Sequence, residues 1–143
     1  MDETITVEQF KKRLVDLFVR SRQENLPKKF EDRHILLKSI VLAYLEVGQD
    51  YTEREINAAI QGWMMTIGRD LRVDVFTIRR ELVDRKYLGR DKRGACYEVI
   101  LDGYGSSLFA PEVGAVDVIA VIEEGCAKAE ARKQVFMKKQ KTA

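Results

Sequence analysis

The sequence predicts a mostly helical α+β protein, and three observations carry this. Apolar residues recur at helical spacing through five segments. Thr6, Thr52 and Asp74 stand where helix-starting side chains belong, each just ahead of an apolar-periodic run. Two short apolar runs, Tyr87–Arg90 and Ala95–Ile100, flank a four-residue turn signal ending in Gly94.

In the first segment, Thr6 and Gln9 have the spacing of a capping box. Val7, Phe10, Leu14, Leu17 and Phe18 follow on one helical face. The opposite face carries Lys11, Lys12, Arg13, Arg20 and Arg22, read as a solvated surface. The helix fades near Asn25 and Pro27 breaks it. The second helix is expected from Glu31 to Val47, ended by Gly48. Its stripe of Ile35, Leu37, Ile40, Val41, Tyr44 and Leu45 is wide enough to be buried on more than one side. Thr52 and Glu55 form a second capping box, and Ile56, Ala59, Ile60 and Trp63 face inward behind it. Met64 to Val73 reads as a helix end and a turn. Asp74 caps a fourth helix to about Arg85, with Ile78 and Leu82 inward and Phe76 and Val83 on the flanks of the core. The hairpin comes next, with a basic tip at Asp91-Lys92-Arg93-Gly94. Helix, helix, turn, helix, hairpin is the winged helix-turn-helix order, the hairpin being the wing. Asp102 to Pro111 reads as a Gly/Ser-rich loop. Val116, Ile119, Ile122, Cys126 and Ala129 trace a stripe on a last helix running into Phe136, with a frayed end at Lys138–Lys141. The expected parts are an N-terminal helix (1–25), the winged-helix domain (26–101), and a loop with a C-terminal helix (102–143).

Composition narrows the function classes. At 143 residues the chain suits one compact domain, and 45% apolar residues suffice for a core. No apolar run approaches the ~18 residues of a membrane span. The start, MDETITVEQF, lacks the order of a signal peptide, so a cytoplasmic protein is expected. Cys96 and Cys126 make no disulfide framework and are expected reduced and packed. His34 is the only histidine, so no clustered zinc set, no Ser–His–Asp triad and no cofactor is expected. Glu53 and Glu55 lie on different helix faces, which opposes shared acid–base work. The chain is read as a non-enzyme.

Net charge is +2, but it is concentrated. Residues 69–93 hold 9 basic and 5 acidic side chains, a net of +4. Residues 1–68 (10 basic, 11 acidic) and 94–143 (6 basic, 7 acidic) are each at −1. A basic patch on a near-neutral body suits a phosphate-binding face.

YTEREIN (Tyr51–Asn57), TIRRELVD (Thr77–Asp84), YLGR (Tyr87–Arg90) and a Gly-containing turn before Tyr97 resemble the DUF2087 family. Leu26-Pro27-Lys28-Lys29 and the apolar second helix resemble its opening. The resemblance covers about Leu26 to Val99. The family's function is unknown, and its members often occur attached to bacterial transcriptional regulators. Members usually place Gly before the leucine pair, where this chain has Lys86-Tyr87-Leu88. Thr77-Ile78-Arg79-Arg80-Glu81-Leu82 is similar to the recognition-helix segment of DeoR-type repressors, with Glu81 in place of Asp. That resemblance implies a DNA-facing helix with paired arginines.

An arginine on such a helix can donate two hydrogen bonds to a guanine edge, worth ~1–3 kcal/mol of discrimination. Thr77, Arg79 and Arg80 stand in the first turns, where groove contact is usual. Lys92 and Arg93 would reach a neighbouring phosphate or the minor groove, and Arg72 and Arg90 flank both. The competing reading pairs Arg79 or Arg80 with Glu53, Glu55 or Asp84 as a brace. The expected function is a DNA-binding transcription regulator on double-stranded DNA. The alternative is a protein-interaction module associated with transcription machinery. Val116, Ile119 and Ile122 are the candidate homodimer surface, or else pack on the chain's own core.

Overall fold

The structure is a computed structural model that describes residues 4–91 and 96–141. It is a mostly helical α+β fold, as the periodicity predicts. The helices are α1 (Val7–Val15), α2 (Phe30–Tyr44), α3 (Glu53–Thr66), α4 (Val75–Asp84), α5 (Tyr104–Ser107) and α6 (Val118–Lys141). The strands are β1 (Asp50–Thr52), β2 (Leu88–Arg90) and β3 (Cys96–Val99). A π turn, Asp16–Arg20, continues α1, and a 3₁₀ turn, Pro111–Ala115, precedes α6.

The helix starts follow the expected capping chemistry. Thr6 accepts from the Gln9 N–H while the Gln9 side chain accepts from the Thr6 N–H. Thr52 and Glu55 do the same at α3. Asp74 accepts from the Thr77 N–H at 2.7 Å. That bond holds its carboxyl below the ordinary value, because the N–H favours the charged form.

α2 is the centre of the core. Nine of its 15 residues are buried, because its apolar positions run around the helix rather than along one stripe. It ends at Tyr44, short of Gly48, whose φ of 84° turns the chain into β1. α1 is tied to α2 by two bonds from Arg13 to Asp32, at 3.0 and 2.8 Å. The Asp32 bonds raise the Arg13 guanidinium above its ordinary value. Arg13 therefore belongs to a helix clamp and not to the solvated face expected for it; its long stem reaches around the helix to a buried carboxylate.

The sheet is antiparallel with order β1-β3-β2. Tyr51 pairs with Tyr97, and Leu88 with Val99. β1 was not expected; three residues are too few to display an alternation. Their partners lie 46 positions downstream, counting Tyr51 to Tyr97. Asp102 to Pro111 is not all loop, since it contains α5. That short helix seats Gly105 where a Cβ would stand 2.5 Å from the Arg85 carbonyl oxygen. The termini join the same body. Ile5 and Phe109 form a parallel bridge, and Phe10 meets Phe109 edge-on at 5.7 Å.

α6 begins at Val118, so Val116 precedes the helix. Its inward face is Val118, Val121, Ile122 and Gly125. Of the three residues expected to form a dimer surface, Val116 and Ile122 pack partly on the core and only Ile119 is exposed. The expected stripe was set one helical step off, because Ile119, Cys126 and Ala129 share spacing but not burial. Lys138 to Gln140 lie within the helix rather than in a frayed end. Cys96 and Cys126 are free thiols, as expected, but exposed rather than packed.

Two buried polar contacts hold α2. Trp63 donates to Ser39 Oγ at 3.0 Å, and Ser39 Oγ donates to the Leu36 carbonyl at 2.6 Å. His34 Nδ1 lies 2.7 Å from the Tyr87 hydroxyl, which also donates to the His34 carbonyl at 3.3 Å. Both side chains are buried. Burial pushes His34 down to about 4, with the Arg85 and Arg33 charges adding to the effect and Glu81 opposing it. Burial likewise raises the Tyr87 hydroxyl.

The end of α4 is a Schellman motif: Tyr87 N–H bonds the Leu82 carbonyl and Lys86 N–H bonds the Val83 carbonyl. Lys86 therefore takes the left-handed conformation, φ 67°. Glycine takes this conformation without strain, whereas the Cβ of a lysine carries steric cost there. Lys86→Gly is expected to raise stability by about 1 kcal/mol, read as a higher urea midpoint at unchanged slope.

A second expectation concerns pH. The unfolded chain binds a proton at His34 near the ordinary value of 6.5, and the folded chain only near 4. Stability is thus full above 6.5 and falls as pH drops toward 4, by on the order of 2–3 kcal/mol. His34→Phe should flatten this limb of the stability–pH profile; an unchanged limb would assign it to other groups.

Candidate nucleic-acid interface

α4 packs through Ile78 and Leu82, both fully buried, and leaves its other face outward. The β2–β3 pair runs on from its C-terminus and stands beside that face. Between them is a cleft of about 440 Å³ lined by Phe76, Arg79, Arg80, Val83, Asp84, Arg90 and Tyr97. The cleft brings together three of the expected site residues, Arg79, Arg80 and Arg90, from two elements. Thr77 is exposed on the first turn of α4 but does not line it. Arg72 is exposed on the approach to α4, its N–H bonded to the Glu24 carbonyl. Lys92 and Arg93 lie outside the described residues.

The three arginines are not alike. Arg79 donates to Asn57 Oδ1 at 2.6 Å and contacts Glu53 Oε1 at 3.0 Å. Its guanidinium lies 5.1 Å from the Phe76 ring centroid, and its side chain is only 17% exposed. It ties α4 to α3, which is the bracing role weighed from the sequence. Arg80 and Arg90 are exposed and make no hydrogen bond or ion pair among the described residues. Glu81 is held by Arg85 at 2.6 Å and lies 3.7 Å from Arg33, so its charge is balanced away from the cleft. Asp84 remains as the carboxylate on the wall. Asp74 already occupies the start of α4, which leaves that helix end less open to an anion than an uncapped one.

Phe76 was expected on the flank of the core but is 63% exposed. Helical geometry explains this: two residues before Ile78 is about 200° around the helix. The same count from the sequence would have put Phe76 outside. Asn57 went unnoticed because nothing local signals an acceptor for an arginine 22 positions away.

A family model, described as an uncharacterized protein conserved in bacteria (DUF2087), matches residues 22–99, more than half of the chain. The chain belongs to the DUF2087 family. No curated protein and no solved structure matches it. The DUF2087 segment contains α2, β1, α3, α4, β2 and β3 entire, so the cleft is made of family elements alone. α1, α5 and α6 lie outside the residues that match the DUF2087 model. Among the described residues no three His, Cys, Asp or Glu side chains cluster as metal ligands, and no helix is long and apolar enough to cross a membrane.

The division among the arginines is measurable. Arg79→Ala should cost about 1–2 kcal/mol of stability, since it leaves Asn57 and Glu53 without their partner. Arg80→Ala should stay within about 0.5 kcal/mol of the parent. Thermal or urea unfolding of the two variants, side by side, checks both values.

Proposed function

We propose that this DUF2087 protein is a cytoplasmic, non-enzymatic transcription regulator that binds double-stranded DNA through α4 and the β2–β3 pair. The observation that carries the reading is the convergence beside the outer face of α4 of Arg80 and Arg90, both exposed and without an ion pair among the described residues. Two elements of different kind supply them, as a groove-binding helix and its wing would. The order α2, β1, α3, α4, β2, β3 with sheet order β1-β3-β2 supports reading the body as a winged helix-turn-helix. The similarity of Thr77–Leu82 to DeoR-type recognition helices supports the same assignment.

In this reading α4 enters the major groove. Arg80 takes a guanine edge and Arg90 holds the flanking phosphate. Arg79 fixes the angle of α4 from behind, so that the exposed donors are pre-organised. Thr77 and Arg72 add contacts ahead of the helix, and Lys92 and Arg93 extend the phosphate grip from the segment joining β2 to β3.

The test is fluorescence anisotropy with random and genomic duplexes at two salt concentrations. Affinity should fall steeply with salt, with a log–log slope near −0.9 for each phosphate neutralised. Arg80→Glu with Arg90→Glu should abolish binding while the unfolding midpoint holds. Retained affinity in that double variant would remove the site assignment.

A second reading, a protein-docking module associated with transcription machinery, has its own support. Met64, Met65, Val75 and Phe76 line an apolar groove of about 510 Å³ between α3 and α4, with Met65 76% exposed. Under that reading, Phe76→Glu would abolish binding to a purified partner protein, and the Arg80/Arg90 reversal would not.

A further inference from the structure

α6 packs beside α1 and the π turn that continues it. The approach is close at Gly125, where a Cβ would stand 3.0 Å from Val15 and 3.4 Å from Val19. At this contact lies a cleft of about 380 Å³, a volume within the range of small-molecule sites. Its apolar surface comes from Val15, Val19, Val121, Gly125 and Ala129. Val15 and Val19 are half-buried but do not belong to the hydrophobic core; they turn toward α6 instead. The π turn brings Asp16, Val19 and Arg20 onto the cleft wall. Turns of this kind interrupt helices frequently at functional sites. Both walls lie outside the residues 22–99 that match the DUF2087 model. Neither flanking segment makes the cleft alone.

The rim is basic. Lys11, Lys12 and Arg20 stand on one wall, and Lys128 and Arg132 on the other. Against these five cations the cleft has two carboxylates, Asp16 and Glu124, which leaves a surplus of three positive charges. Both carboxylates are already engaged. Asp16 accepts from Arg13 at 3.2 Å and lies 3.5 Å from Lys12 and 3.9 Å from Arg20. Glu124 lies 3.0 Å from Lys128. Lys11 and Arg132 make no hydrogen bond or ion pair among the described residues. The α1 wall runs from Lys11 to Arg20, nine positions and roughly 13 Å along the helix. A neutral hydrocarbon would leave the surplus charge unanswered, and a cation would be repelled. An inorganic anion would leave the valines wet. The complementary ligand joins an anionic head to an apolar body.

We propose that the cleft between α1 and α6 binds one molecule of a small anionic amphiphile, with a carboxylate or phosphate head and a hydrocarbon body. The body lies against Val15, Val19 and Val121, over Gly125 and Ala129. The head is held among the rim cations, of which Lys11 and Arg132 have their donors unused. The site shares no residue with the α4 cleft and does not rest on the DNA reading.

Isothermal titration calorimetry on the full chain, with decanoate and decyl phosphate below their micelle concentrations, tests this. One or both should bind saturably, one molecule per chain, and decan-1-ol should bind far more weakly. Lys11→Glu with Arg132→Glu should weaken binding at least roughly tenfold. Ala129→Trp, which fills the apolar floor, should abolish it. All three positions are exposed, so the unfolding midpoint and near-UV circular dichroism should hold in both variants. Phosphatidylglycerol vesicles should leave the chain in the supernatant on sedimentation. Absence of saturable binding by either anion would overturn the site. So would decan-1-ol binding as tightly as decanoate, or full affinity in Ala129→Trp. Capture by the vesicles without binding of the free anions would assign the rim to a lipid surface and overturn it as well. A charge reversal that weakens duplex DNA binding and spares decanoate would do the same in favour of nucleic acid. Decanoate binding by a chain that ignores duplexes would keep this site while removing the DNA reading.

Discussion

The rest of the fold depends on α2 having almost no solvent face. A helix buried on nearly all sides must find partners inside the protein for every polar side chain it carries. Each of these partners fixes a different element. Asp32 takes Arg13 and so positions α1. Ser39 takes the Trp63 indole and positions α3. His34 takes the Tyr87 hydroxyl and positions the entry to β2. Lys38, its ammonium disfavoured by burial, lies 5.6 Å from the Phe109 ring centroid and meets the segment after the sheet. Among the described residues one buried side-chain atom stays unsatisfied: His34 Nε2 has no hydrogen-bond partner. With Nδ1 as the protonated nitrogen, that atom is a bare lone pair, a smaller burden than an orphaned N–H.

This arrangement gives the outer face of α4 its stiffness. Ile78 and Leu82 anchor the helix below, Arg79 ties it sideways to α3, and the Schellman end delivers Tyr87 directly to His34. The exposed arginines thus stand on a support fixed at three points. A binding surface held in this way loses less freedom on meeting a ligand. The arginine pair in the sequence is therefore two residues with two tasks, one turned toward the protein and one away from it.

Much of this was legible in the sequence where local chemistry decides. The two capping boxes and the Asp74 cap lie within four residues of the N–H groups they satisfy, so composition and spacing sufficed. The hairpin was legible because its turn interrupts two apolar runs. β1 was not, because its three residues are a strand only by virtue of β3. The cleft was half legible. Its arginines stood out as a charge excess, but nothing in the chain said which of them Glu53 and Asn57 would claim.

The same line separates the two kinds of knowledge for the whole protein. The sequence by itself determined the main helices and the β2–β3 pair, the three capped helix starts, the concentration of positive charge between residues 69 and 93, and membership of the DUF2087 family. All of these are set by neighbours along the chain or by motifs in fixed order. Only the tertiary structure decided that Arg79 is a brace while Arg80 and Arg90 stand exposed, that Phe76 faces outward beside them, and that the outer half of α6 is exposed. Those facts depend on which distant residue reaches a given side chain first. Spacing along the chain does not carry that information.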